Sequence, residues 1–198
     1  MRVLTYGATG VQGGAAARQL AKTDHEIVAL LREPEQLGSL ADLGIVAGEV
    51  ATEDLDVMQL CSDELIVIAP VNHPLPQFKR LHFADLLDTC RFVGLNQFSA
   101  IQSFLDRIAS GMGKRISLRI QVGSFDAVCR MVEAGAGIAI VPNSCARRYA
   151  SRKVLRFITL EDDWAKRELR LVRRPGRELP QFAETLVHYL IDAAREPI

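Results

Sequence analysis

Cysteine is scarce and scattered in this chain, with four residues among 198: Cys61, Cys90, Cys129 and Cys145. None is spaced from another as zinc ligands or a redox motif would be, and each has apolar neighbours, so buried free thiols in a cytoplasmic protein are expected rather than a disulfide scaffold. Net charge is lacking too, since 24 basic residues balance 24 acidic ones. That excludes a wholesale affinity for nucleic acid or for acidic membranes. No apolar run reaches membrane-spanning length, and no signal peptide opens the chain. There is no internal repeat and no low-complexity linker. Catalytic motifs are missing as well. No G-x-S-x-G, no H-E-x-x-H and no Cys–His arrangement occurs, and His25, His82 and His188 have no metal spacing. No catalytic residue and no metal ligand is assigned.

What is present is a core. Apolar residues make up 48% of the chain, enough for one compact domain or two small lobes. Apolar strand-like runs alternate with amphipathic segments, which predicts an α/β class. "GIVAG" (44–48), "RFVGL" (91–95), "ISLRIQV" (116–122), "IAIVP" (138–142), "VLRFITL" (154–160) and "ELRLVRR" (168–174) read as strands. "LDVMQLCSDELIVIAP" (55–70) reads as two strands with a bend at Ser62 and Asp63. Ser99 and Ser124 stand where helices begin, and Gly135 or Gly137 where the second of these ends. Pro180 opens a C-terminal helix with Phe182, Leu186, Leu190 and Ala193 inward.

The first stretch, "VLTYGATGVQGGAAARQLA" (3–21), is an apolar strand, a glycine turn and a helix, followed by the strand "EIVALLR" (26–32). Gly7 and Gly10 permit a sharp turn, and Gly13 lets the helix approach the strand closely. Free N–H groups at the helix start can receive an anion. The G-x-x-G-x-x-G spacing resembles the NADP-binding start of NmrA-like short-chain dehydrogenases over residues 1–43, and Arg32 stands where such proteins meet the 2′-phosphate. That resemblance implies NADP contacts at Gly7, Gly10, Gly13 and Arg32. The reductase catalytic Lys or Tyr–Lys pair and the remaining parallel sheet are not recognisable. NADP is therefore expected to bind weakly or not at all.

From about residue 41 to 195 another likeness takes over. "DELIVIAPVNHPL" (63–75) and "MVEAGAGIAIVP" (131–142), with "FADLLDTCRFVGL" and "LRLVRR" in the same order, resemble the effector-binding domain of LysR-type transcription regulators. The resemblance implies a two-lobed fold of the type 2 periplasmic-binding-protein kind, with a Rossmann-like first βαβα unit. It places lobe one at 1–70 and 168–198 and lobe two at 71–167. It implies a small, anionic effector in a cleft between them, lined by Thr9, Gly10, Ala47, Gly48, Asn96, Ser99, Ser124 and Phe125. It also implies a homodimer. The family's DNA-binding helix-turn-helix is not recognisable, so direct DNA binding is not expected of this chain. Two family likenesses meeting at Leu40–Gly44 point to a chimera, natural or engineered. A structural chimera without any ligand is the third reading.

Several of these residues have a plainer reading. Ser99 and Ser124 suit helix capping as well as effector contact. Phe125 suits the core as well as a cleft wall. His73 reads as a solvated loop histidine, "EDD" (161–163) as a solvated turn, and "ARRYASRK" (146–153) as a polar helix end lacking the aromatic interleaving of a nucleic-acid surface.

Overall fold

The computed structural model describes residues 3–6, 27–30, 43–47, 54–97, 99–147, 149, 154–173, 175–176, 178–179 and 181–195. The chain divides into two compact units, Met1–Ser62 with Arg167–Ile198, and Asp63–Lys166.

In the first unit, β1 (Val3–Tyr6) pairs in parallel with β2 (Ile27–Leu30), Val3 opposite Ile27 and Tyr6 opposite Leu30. β3 (Leu43–Ala47) pairs antiparallel with β10 (Lys166–Arg173), Ala47 opposite Leu169. β10 in turn lies beside β4 (Asp56–Pro70). The last helix, here α5 (Gln181–Arg195), buries Ala183 and Val187 against Leu171 and Leu179, with Leu190 and Ile191 packed alongside. Spacings of three and four put those four helix residues on one face. Leu190 is thus inward as expected. The side chains of Phe182, Leu186 and Ala193 lie outside what is described. Arg173 joins three elements: its Nε is 3.1 Å from Asp56 and its Nη1 is 3.4 Å from Glu184.

The second unit carries the larger described core. Leu65–Ala69 of β4 are all buried, as befits a strand covered on both faces. β8 (Ala139–Pro142) runs antiparallel on one side of them, and β9 (Leu155–Leu160) does so on the other. The two-residue β5 (Arg80–Leu81) adds in parallel to β9. β6 (Phe92–Leu95) pairs in parallel with β7 (Leu118–Val122), and a parallel bridge from Phe92 to Ile138 brings β6 to the start of β8. Helices α1 (Phe83–Leu87), α2 (Ala100–Gly111), α3 (Phe125–Glu133) and α4 (Asn143–Arg147) complete the unit. Phe83, Phe92, Phe104 and Trp164 meet edge-on, with Phe83 and Trp164 centroids 5.4 Å apart.

Five local expectations need correction. Residues 56–70 form one strand of 15 residues rather than two with a bend. No Gly or Pro interrupts it, so nothing forces a turn. What changes between Ser62 and Asp63 is the company, because the boundary between the units falls there. The 161–163 turn is not simply solvated: the Asp162 side chain is 10% exposed and accepts the Phe83 N–H at 2.8 Å, capping α1 from far along the chain. In the 146–153 run Tyr149 is buried, and its hydroxyl donates to Asp126 on α3. His73 is half-buried: its Nδ1 accepts the Leu75 N–H at 3.2 Å, and burial lowers its pKa. Cys90 and Cys129 are buried, whereas Cys61 and Cys145 are only half-buried.

Candidate functional site

The site is built on two neighbouring strand-to-helix turns of the second unit. β6 and β7 are parallel and end in register, Leu95 opposite Val122. Parallel strands deliver their following turns to the same edge of a sheet, which is where open α/β sheets bind ligands. The Asn96–Ser99 turn leads into α2, and Gly123–Ser124 leads into α3. The turns are joined directly, since Asn96 N–H donates to Val122 C=O at 3.0 Å. Gln121 Nε2 reaches back to Leu95 C=O at 3.1 Å. Within the first turn, Ser99 N–H donates to Asn96 C=O at 3.0 Å and Ser103 Oγ to Gln97 C=O at 3.3 Å. Both turns are thereby held in shape by bonds of their own.

The two serines differ. Ser124 is exposed and caps α3, its Oγ accepting the Ala127 N–H at 3.2 Å. Ser99 has the cap position of α2 but makes no side-chain cap bond. Its Oγ is buried and finds no hydrogen-bond partner among the described residues. Buried hydroxyls are normally satisfied, so an orphan one calls for a ligand or a water. The helix ends differ as well. α3 has Asp126 in its first turn, tied to Arg130 at 2.9 Å. α2, twelve residues long, has no acidic residue there. The partial positive charge of its N-terminus is left for an outside anion.

Beneath α2 lies a feature that sequence reasoning missed. Gln102 is 2% exposed and bonds Asp106 Oδ1 at 3.1 Å through its Nε2. Its Oε1 fills the space a side chain at Gly94 would need: a Cβ on Gly94 would lie 2.5 Å from it and 2.6 Å from Leu118 Cδ2. Gly94 therefore lets the helix carrying Ser99 sit close to β6. The signal was present, as Gln102 shares the helix face of Leu105 and Ala109, but a polar letter in an apolar stripe does not announce its depth.

Of the predicted effector residues, the structure brings Asn96, Ser99, Ser124 and Phe125 together at this edge. Asn96, Ser99 and Phe125 are half-buried, Phe125 packing against the main core. Ala47 is half-buried at the end of β3 in the first unit. Thr9, Gly10 and Gly48 lie outside the described residues, as do Gly7, Gly13 and Arg32 of the NADP reading. Among the described residues no cluster of His, Cys, Asp and Glu is arranged to hold a metal, and no helix is long and apolar enough to cross a membrane.

The mixed α/β fold, with two parallel strands that end side by side and lead into helices, is that of a binding domain of the type 2 periplasmic-binding-protein kind. More narrowly, the chain belongs to the LysR substrate binding domain family, whose model matches residues 21–195. It is 31% identical over 150 residues to a "Probable RuBisCO transcriptional regulator" of Porphyra purpurea, covering 73% of this chain and 47% of that protein. The chain spans about half the length of the curated relatives it matches. Among solved structures it resembles the Synechocystis PCC6803 CcmR regulatory domain in complex with 2-PG, with TM-score 0.71, 20% identity and coverage of 98% and 97% of the two chains. It also resembles the effector binding domain of QuiR in complex with shikimate, with TM-score 0.64, 14% identity and 98% coverage of both chains. The family match begins at residue 21 and runs across Leu40–Gly44 without a break. The comparisons thus lend no support to an NmrA-like segment or to a chimera.

Proposed function

We propose that this chain is the sensing part of a transcription regulator and that it holds a small anionic effector at the Asn96–Ser99 and Ser124–Phe125 turns. The observation that carries this reading is the buried, unpartnered Ser99 Oγ at the N-terminus of a helix that has no acid of its own. A carboxylate or phosphate oxygen there would accept from the Ser99 hydroxyl and from free N–H groups of the first turn. Thr9, Gly10, Ala47 and Gly48 are the contacts proposed from the first unit. The reading includes no catalytic step. It extends to this chain the regulatory role in the relatives' names, a cytoplasmic setting and assembly as a homodimer. The rival NADP reading keeps one supporting observation, the parallel pairing of β1 and β2 around the glycine-rich stretch.

Calorimetric titration with 2-PG, shikimate and NADPH tests both. Saturable binding of one of the two small anions, weakened by Ser99→Ala, is expected. Binding of NADPH alone, abolished by Arg32→Ala and untouched by Ser99→Ala, would transfer the site to the glycine-rich stretch. Light scattering that finds only monomer at high concentration would end the dimer assignment.

A further inference from the structure

Two thiols that effector binding does not use lie on neighbouring helices. Cys129, on α3, is fully buried, and Cys145, on α4, is half-buried. The two helices pack on one another. Their relative rotation is fixed beside the thiols, because Tyr149, just beyond α4, donates its hydroxyl to the Asp126 carboxylate on α3. Residues three or four apart share one side of a helix, so Cys129 looks out from α3 in the same direction as Asp126. Electrostatics agree with that placement. Burial is the main force that pushes the Cys129 thiol up to about 11, and the next is Cys145, ahead of Asp126. That influence of Cys145 is in keeping with the packing of the two helices and the Tyr149–Asp126 bond beside them.

We propose that Cys129 and Cys145 form a modification site, an oxidisable pair that closes to a disulfide and ties α3 to α4. The spacing of the two in sequence gives no hint of this; the fold brings them together. With a peroxide as oxidant the atoms balance as follows. The more accessible Cys145 loses its S–H proton and its sulfur attacks the O–O bond, giving a sulfenic acid and one water. The Cys129 sulfur then displaces the sulfenic hydroxyl, which leaves as a second water with the Cys129 proton. The two sulfurs lose two electrons in all, and the two peroxide oxygens gain them. Surroundings that disfavour a thiolate slow the attack, and they also make the finished bond hard to reduce. The consequence reaches the effector site without depending on it, since α3 begins at Phe125, directly after Ser124.

The folded chain is treated with hydrogen peroxide, its remaining thiols are blocked with iodoacetamide, and it is digested with trypsin without reduction. Cleavage after Arg119, Arg130 and Arg147 puts Cys129 in peptide 120–130 and Cys145 in peptide 131–147. The expected product is these two peptides joined, two hydrogens lighter than their sum and separated again by dithiothreitol. Cys90→Ser leaves the product intact and Cys145→Ser removes it; should the latter variant not fold, the native digest alone decides. The proposal is overturned if the peptides stay separate while another cysteine is oxidised. It is equally overturned if Cys145 ends as sulfinic acid beside a free Cys129, or if all four thiols survive.

Discussion

The turns after β6 and β7 look alike in sequence and in backbone, yet only one has unfinished bonding. Each follows a strand of the same parallel pair, places a serine at a helix start and runs into an amphipathic helix. After β7 the local chemistry is closed: Ser124 caps α3, and Asp126 faces the helix N-terminus and pairs with Arg130 and Tyr149. After β6 it is open: Ser99 has no partner among the described residues, and the first turn of α2 carries no acid. The lesson is that a helix-start serine reports a helix, while its bonding reports whether the helix end is finished. An unfinished end is the cheaper place to bind an anion, because no internal partner has to be displaced.

The strongest way to break the comparison is to disturb the support of the open turn. Gly94→Ala drives a methyl group into Gln102 Oε1 and Leu118 Cδ2. Overpacking of this kind costs about 1–3 kcal/mol. Chemical denaturation is expected to show that loss, and Gln102→Ala in the same chain to recover part of it. Equal losses in the single and double variants would mean that Gln102 does not hold the turn.

Of comparable size is the effect of the open serine itself. A hydrogen bond to a charged group contributes about 1.5–3 kcal/mol. Ser99→Ala should therefore weaken a bound small anion by roughly 10- to 100-fold. Without ligand the same variant should be as stable as the parent or slightly more so, because it removes a buried hydroxyl that has no partner. A variant that lost stability and kept its affinity would make Ser99 a structural residue.

Ser124→Ala is the mirror image. It removes a working cap, which costs roughly 1 kcal/mol of stability, and it should change anion affinity less than Ser99→Ala does. Thermal melting and titration on the same samples separate the two. A larger affinity loss from Ser124 than from Ser99 would reverse the assignment of open and closed turns.

Much of this was legible before the structure. "ISLRIQV" alternates as a half-buried strand does, "IAIVP" is a short apolar run that suits a buried one, and Ser124 with Gly135 or Gly137 bracketed α3, where Gly135 has φ of 80°. What stayed hidden depends on partners far along the chain. Asp162 seemed a solvated turn because its partner, the Phe83 N–H, is 79 residues away. Ser62 and Asp63 looked like a bend because the change there is one of neighbouring strands, which a single strand's letters do not record. Asn96 and Ser99 were singled out through family likeness, but nothing in the letters separated Ser99 from Ser124. That difference lies in the bonds each hydroxyl makes, and only the packed turns reveal it.

The smallest expected effect concerns a residue outside both turns and serves as their control. His73 holds the loop after β4 by accepting the Leu75 N–H on its Nδ1, which is possible only while that nitrogen is unprotonated. Burial lowers its pKa below the ordinary 6.5, so the unfolded chain takes up the proton first on acidification. The linkage then has a definite sign. The contribution of His73 is complete above pH 6.5 and is lost as pH falls from there through the lower folded value. Denaturation midpoints measured at steps below neutrality should fall in that window, and His73→Asn, which keeps an acceptor but does not titrate, should flatten the fall. Neither α2 nor α3 has a histidine, so the contrast between Ser99→Ala and Ser124→Ala should survive at each pH where the chain stays folded. If the slope were the same with and without His73, the acid sensitivity would belong to other groups and the loop bond would carry no measurable weight.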